Sequence, residues 1–329
     1  MMYTTVGKSR ILQIKPWRPD KPVSKGATAY HDAVANARYY ISILDELVKK
    51  IRTKIREGDI VVDFGAGTGI SAMRIFKQLK ADVKVWLVDN SPAWLGKAYE
   101  IFSKNSYVEY FLLEKTKDKY VTLADSIGEE SVNHVISANT VHLIPDLEYT
   151  FNGINMALKP GGTFSFQSGN ILRNGKDDDI LLIDDTFNMV HDIAIDIVKT
   201  DKKFAKYKDD IDERIESQSE QRKFVFPNPR PLKEYLKSLK NSGFSFEKPE
   251  HRLFKIPYKG WLDFLRVKRL QAGILPEIGK DIFEEEQDRD ELITMASKRL
   301  FHQLQQENKF ADKNYFTIEC TYVTAVKGF

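Results

Sequence analysis

The 329-residue sequence predicts an α/β protein built on a mostly parallel sheet with helical insertions. Three observations carry that expectation. Short β-rich runs alternate with stretches of helical periodicity from residue 59 to 169. Three glycines at every second position, Gly65, Gly67 and Gly69, close the first of those runs in "VVDFGAGTGI". The chain finishes on "YFTIECTYVTAV" (315–326), a strand of alternating character.

The first 25 or so residues read as extended, because Pro16, Pro19 and Pro22 limit helix formation. "TAYHDAVANARYYISILDELVKKIRTKI" then places apolar residues at helical spacing, as one or two helices leading into the core. Strands are expected at 59–65, 83–89, 108–114, 131–139 and 162–169, with helices near 70–80, 92–104 and 146–158. Strands and helices alternating at these lengths imply right-handed crossovers and parallel pairing. "LKPGG" (158–162) stops a helix and turns into the fifth strand. The alternation breaks at 171–225, a polar stretch with scattered apolar positions that reads as helices inserted over the sheet. It resumes at 228–244, where Pro231 suits a first helical turn and Gly243 a C-cap. "FSFEKPEHRLFKI" reads as one strand. Residues 281–308 read as a helix with acids at its start and Lys298, Arg299 and His302 later, as the dipole favours. The expected organisation is an N-terminal segment and helices (1–50), a nucleotide-type core (51–170), a helical insertion (171–227) and a core completion with a further helical insertion (228–329).

Lys and Arg exceed Asp and Glu by only three, 50 against 47, and the signs interleave, so overall charge gives no case for nucleic acid as partner. The single cysteine, Cys320, excludes an internal disulfide framework and a cysteine-rich zinc site. No pair of histidines has metal-ligand spacing, and no metal is expected. No secretory signal is read at the start and no run of apolar residues suits a membrane span, so a reducing cytoplasm is the expected setting. The residues specify no oligomeric state.

The dinucleotide fingerprint would place its third glycine at position 70, which is Ile70, and no Gly-Lys-Ser/Thr follows as in a phosphate loop. A second strand ends in Asp89, about twenty residues after the last glycine. A carboxylate at that strand tip accepts hydrogen bonds from ribose hydroxyls. Glycine turn and acid together describe a site for a ribose-bearing cofactor.

With "VVDFGAGTG", "VWLVDNSPAWLGKA" and "VISANTVHLIPDLEYTFNGINMALKPGGTFSF", the chain resembles the class I S-adenosylmethionine (SAM) dependent methyltransferases, especially the small-molecule branch of quinone-biosynthesis and trans-aconitate type. The likeness covers 55–170 well and 228–327 loosely. It implies a Rossmann-like, seven-stranded, mostly parallel sheet in the order 3-2-1-4-5-7-6, the last strand antiparallel, with helical lid insertions. It also implies SAM as cofactor and S-adenosylhomocysteine as product. On that resemblance Asp63 anchors the amino acid end, Gly65, Ala66, Gly67 and Gly69 let the backbone pass close to the methionine, and Asp89 holds the ribose. Asn90 and Ser91 lie by the adenine, and Asn139 under the methionine. Where the family often has an aspartate after strand three, this chain has "LLEKT", and Glu114 takes its place. The usual Phe-Asp opening strand four is Val132-Asn133 here.

His142, just after strand four, is a candidate general base, since imidazole titrates near neutrality. His31, His191 and His251 read as ordinary surface or satisfied histidines. Tyr30, with Tyr39 and Tyr40 on the N-terminal helices, is a candidate cofactor or substrate contact. In "YKGWLDFLRVKRL" (258–270), Trp261 is a candidate pocket wall and Arg266 a bidentate clamp for an acidic substrate, against the readings of an interfacial helix for a lipid-like substrate and of a plain amphipathic helix. Methyl transfer from a sulfonium is an in-line displacement on activated carbon and needs mainly positioning. The expected partner is a small-molecule acceptor methylated on O, N or C, with no nucleic acid and no stable membrane insertion. A SAM-fold protein that does not methylate, and a nicotinamide-dependent oxidoreductase, are the competing readings.

Overall fold

A computed structural model describes residues 16–79, 82–274 and 283–328. The extended reading of residues 1–15, and the start of the helix expected from 281, lie outside the described residues. In chain order the elements are α1 (Lys25–Ala35), α2 (Arg38–Arg52), β1 (Ile60–Phe64), α3 (Ile70–Gln78), β2 (Lys84–Asp89), α4 (Pro92–Phe102) and β3 (Val108–Leu112). Next come α5 (Leu123–Ile127), β4 (Val132–Ala138), a 3-10 turn (Val141–Leu143), α6 (Leu147–Ala157), β5 (Leu158–Ser168) and β6 (Ile171–Leu172). The insertion holds α7 (Ile183–Thr200), a 3-10 turn (Lys202–Tyr207) and α8 (Ile211–Val225). The remainder is β7 (Arg230–Pro231), α9 (Leu232–Asn241), β8 (Phe244–Phe246), β9 (Glu250–Pro257), α10 (Tyr258–Leu265), α11 (Lys268–Ile274), α12 (Phe283–Glu307) and β10 (Tyr315–Lys327).

The main sheet runs β3-β2-β1-β4-β5-β10-β8, parallel through β5 and antiparallel where β10 meets β5. This is the expected order, with β8 taking the part of strand six and β10 that of strand seven. One element differs: the single strand expected over "FSFEKPEHRLFKI" is two. β8 pairs with Ala325–Lys327 and β9 with Tyr315–Tyr322, both on the same edge of β10, giving eight strands. Pro249 lies in the break and has no N–H to give a ladder.

Successive strand residues feed opposite faces. Val61, Val85, Leu87, Tyr110 and Ile136 join one apolar cluster, and Val62, Val88, Phe111, Val135 and Phe164 the other. Both faces are thus covered, which is why these strands read as continuous apolar runs rather than alternating ones. Helices α5, α6 and α9 pack the second face. The first face carries α2, α3 and α4, and also α7, α10 and α12. The inserted helices therefore extend one continuous core. Their two chain ends meet in a small parallel ladder, Ile171–Leu172 against Arg230–Pro231.

Candidate functional site

β1 runs into the glycine turn, whose geometry fixes the residue types. Gly65 (φ +73°) turns the chain so that its N–H and that of Ala66 both donate to Val88 O, at 2.8 and 3.0 Å. A Cβ there would lie 2.3 Å from the Thr140 methyl. Gly67 (φ +54°) is also left-handed, but a Cβ on it would meet nothing within 4 Å. Its N–H donates to Asp89 Oδ2 (2.8 Å), while Asp89 Oδ1 accepts from Ser91 N–H (2.9 Å). Ser91 in turn caps α4 through Trp94 N–H. The acid at the tip of β2 is thereby locked against the open side of the turn.

Asp63, opposite Leu87 in the β1–β2 register, is 0% exposed, and apart from the backbone N–H of Ala72 in the first turn of α3 nothing approaches its carboxylate as a hydrogen-bond partner. Burial, then the charge of Asp89, push its carboxyl up to about 7. A buried, orphaned carboxylate costs several kcal/mol unless something pairs with it. Around it stand Tyr40, whose hydroxyl bonds Asn139 and lies 3.4 Å from that of Tyr30, and Asn139 itself at φ +50°. A left-handed asparagine at a strand tip stores strain of the kind found at ligand sites. Buried Gln167 of β5, in the orientation that satisfies its amide, donates to Asn139 Oδ1 (3.2 Å). His31 reaches Thr68 Oγ1 (3.1 Å), so α1 closes over the turn. Tyr30 packs edge-on to Trp94 (4.8 Å between ring centroids) and against Phe264 (5.9 Å).

Asp63, Gly65, Ala66, Gly67, Asp89, Ser91, Asn139 and Tyr30 thus converge at the carboxyl ends of β1, β2 and β4, where open α/β sheets bind ligands. Gly69, the N-cap of α3, faces Phe102 instead, 2.8 Å from a Cβ placed there. Asn90 is exposed beside Asp89. Glu114 is exposed two residues past β3, and among the described residues its carboxylate makes no hydrogen bond or ion pair. Its backbone carbonyl accepts from Val121 N–H. Asn133, at the other end of β4, accepts from Ile60 N–H and Lys159 and is structural.

His142 is half-buried, with Nδ1 3.0 Å from Ser168 Oγ. Burial, then the Arg230 charge, bring its pKa down to about 4. Arg230 Nη2 donates to the carbonyls of Val141, His142 and Ile144 at 3.2, 3.2 and 2.6 Å, holding the 3-10 turn that carries the imidazole. No sequence pattern marked Arg230, and Tyr40 was indistinguishable from its neighbour Tyr39, which packs under α10 with its hydroxyl 3.5 Å from Gly260 O.

Two expectations are corrected. Trp261 is 0% exposed, wedged among Phe187, Phe264 and Phe316, and is a core residue rather than a pocket wall. Arg266 is not brought to the site. Its guanidinium faces α12, with Asp290 at 3.2 Å and Thr294 at 2.8 Å, because the basic face of "FLRVKRL" turns to the acidic α12. His191 bonds Ile274 O and His251 bonds Thr321 Oγ1, both structural roles. An open cavity of about 590 Å³ lies at the opposite end of the sheet, by Lys54, Arg56, His134 and Lys159. His134 there is already held by Asp59 and Thr163. Among the described residues no group of three or more His, Cys, Asp or Glu is placed to hold a metal ion, and no helix is long and apolar enough to cross a membrane.

Residues 55–225, just over half of the chain, match the methyltransferase-domain family. An arsenite methyltransferase of Halobacterium salinarum is 35% identical over 107 residues, 32% of this chain and 26% of that one. A hybrid PKS-NRPS synthetase of Penicillium oxalicum is 25% identical over 135 residues, 40% of this chain and 3% of the synthetase. The chain therefore spans only a small part of the length of these curated relatives. Among solved structures, a Bacillus halodurans protein assigned as a methyltransferase aligns over 88% of this chain and all of its own, with TM-score 0.50 and 16% identity. A Galdieria sulphuraria protein assigned as a sarcosine dimethylglycine methyltransferase aligns over 93% and 99%, with TM-score 0.50 and 11% identity. These likenesses are of fold. Sheet order, glycine turn, strand-tip acid and family match agree, and the chain belongs to the methyltransferase-domain family, in the class I SAM-dependent group.

Proposed function

We propose that the protein moves a methyl group from SAM to a small molecule held at the carboxyl edge of the sheet, beneath α7, α8 and α10. The buried Asp63 carboxylate, with no side-chain partner, beside the open Gly67–Asp89 turn carries this reading. A buried anion with no charged partner fits the ammonium of an amino acid moiety, and Asp89 stands at the strand tip where ribose hydroxyls are held. Tyr40 and Asn139 would border the methionine, and Asn90 and Ser91 the adenine. Bound SAM supplies a methyl group on an electron-poor sulfonium, so the protein's task is alignment and exclusion of water.

Tyr30, Phe264 and Phe187 form the apolar wall that excludes water, linked by ring contacts of 5.9 and 6.2 Å. His142, neutral at pH 7, serves best as a hydrogen-bonding group, because a base with pKa near 4 has little driving force to take a proton at that pH. If its Nδ1–H donates to Ser168, Nε2 is left as an acceptor for the substrate. Glu114 remains a proposed adenine contact only if the loop after β3 folds inward.

Calorimetric titration with S-adenosylhomocysteine and with NADH, on the wild type and Asp89→Ala, tests the reading. Micromolar binding of the homocysteine compound alone, weakened at least tenfold in the variant, is the expected result. Binding of NADH instead would overturn it.

A further inference from the structure

Beyond Asp63 a second buried acid has no cationic partner in contact, and only the Asn170 amide beside it. Asp184, in the first turn of α7, is 4% exposed, and its Oδ2 accepts no hydrogen bond. Its backbone N–H donates to Oδ1 of Asn170 (3.1 Å), which is itself fully buried and has an idle Nδ2. Asn170 N–H donates to Ser168 Oγ (3.0 Å), the atom that holds His142. The pair thus sits on the His142 side of the sheet edge, at the end of β5. The nearest cation, Arg222 of α8, attracts Asp184 without closing a salt bridge. Its Nη2 is occupied by Asn188 Oδ1 (2.7 Å).

We propose that Asp184, supported by Asn170, anchors the methyl acceptor by a protonated amine; the assignment to the acceptor rests on the function proposed above. Burial, then the neighbouring Asp185 charge, hold the Asp184 carboxyl high, up to about 7, despite the lowering effect of Asn170 and Arg222. A cation in contact removes that penalty, whereas a neutral hydroxyl does so only in part and a carboxylate worsens it. One turn along the same helix, Phe187 packs on Phe226 and on the half-buried Phe264, an apolar surface suited to a short alkyl chain behind the amine.

The test uses the full chain and three probes of equal length, n-propylamine, n-propanol and propionate, followed by ligand-observed NMR with and without S-adenosylhomocysteine. Propylamine should bind in the millimolar range, and at least tenfold more tightly than the other two. The near-isosteric Asp184→Asn should lose that preference while keeping its near-UV dichroism and its affinity for S-adenosylhomocysteine. Preference for propionate, lost in Arg222→Gln, would overturn the proposal and make the cluster an anion site. Equal binding to Asp184→Asn, or no propylamine binding at all, would also overturn it. Failure of S-adenosylhomocysteine to bind would instead sink the methyl-transfer reading, and the amine arm would still decide the role of Asp184.

Discussion

Asp63 differs from an ordinary acid in the sign of its effect on stability. Its folded pKa lies near 7, above the unfolded value of about 3.9, so the folded state holds a proton that the unfolded state has lost. Stability therefore falls as pH rises from about 4 to 7, by an amount on the order of 4 kcal/mol for a shift this large. Asp63→Asn removes that dependence. Its Tm relative to wild type should rise between pH 5 and about pH 7 and level off above that, while S-adenosylhomocysteine affinity drops at least tenfold. A Tm difference flat with pH would mean that Asp63 is already ionised and paired. The glycines separate by the same residue-level logic. Gly65→Ala meets Thr140 and a left-handed φ together, and should lose several kcal/mol or fail to fold. Gly67→Ala has room, so it should lose only about 1 to 2 kcal/mol, yet weaken cofactor binding by closing the open side of the turn. Urea denaturation beside calorimetry distinguishes the two. The glycines and Asp89 were legible because their chemistry is local, a turn and a strand tip within 25 residues. Asp184 was not. It lies in "KDDDILLIDD", which reads as a solvated acidic run, and only packing by α8 and β5 makes it a buried charge.

At the scale of elements, the sheet and its flanking helices followed from apolar runs and capping residues, since strands buried on both faces leave an uninterrupted signature. α5 was missed because five residues carry no periodicity, although its Thr122–Asp125 capping box is plain once seen. What the turn after β4 depends on was also hidden, because its partner is 86 residues away. Arg230 supplies one guanidinium to three consecutive-turn carbonyls and a longer fourth contact at Pro145 O (3.4 Å). Arg230→Met leaves the carbonyls of His142 and Ile144 without that donor, and Val141 O with only the Ile144 N–H, for a loss of about 2 to 4 kcal/mol. It also removes the positive charge that helps depress His142. The imidazole pKa, followed by NMR, should climb from about 4 toward its ordinary value, and amides of 141–145 should exchange faster. A stable turn with an unmoved His142 would show that packing alone sets its position.

For the whole molecule, the question is whether the insertion is a removable cover. The sequence expectation treats residues 171–225 as helices inserted over the sheet, as a lid, and the core argues against their being separable. Phe187, Val190, Ala194, Ile197, Val198, Phe204, Tyr207 and Ile211 are all buried in the same cluster as Val61 and Leu87 of the sheet. At roughly 1.5–3 kcal/mol per large apolar side chain, uncovering this surface costs on the order of 10 kcal/mol. A domain's net stability is about 5–15 kcal/mol, so excision should unfold the protein rather than uncap it. Periodicity identified the helices, but the depth to which they are buried depends on α10 and α12, which return to meet them from a hundred residues later. That also explains why Trp261 was misplaced: its apolar stripe faces Phe187, not a cavity. Two single-tryptophan variants test the point in the intact chain, one keeping Trp86 on β2 and the other Trp261 on α10, with the remaining tryptophans changed to Phe. Urea unfolding followed by fluorescence should give coincident midpoints and equal m-values. A Trp261 transition at lower urea than that of Trp86 would mean that the inserted helices open independently, restoring a true lid and making its closure a step in acceptor binding.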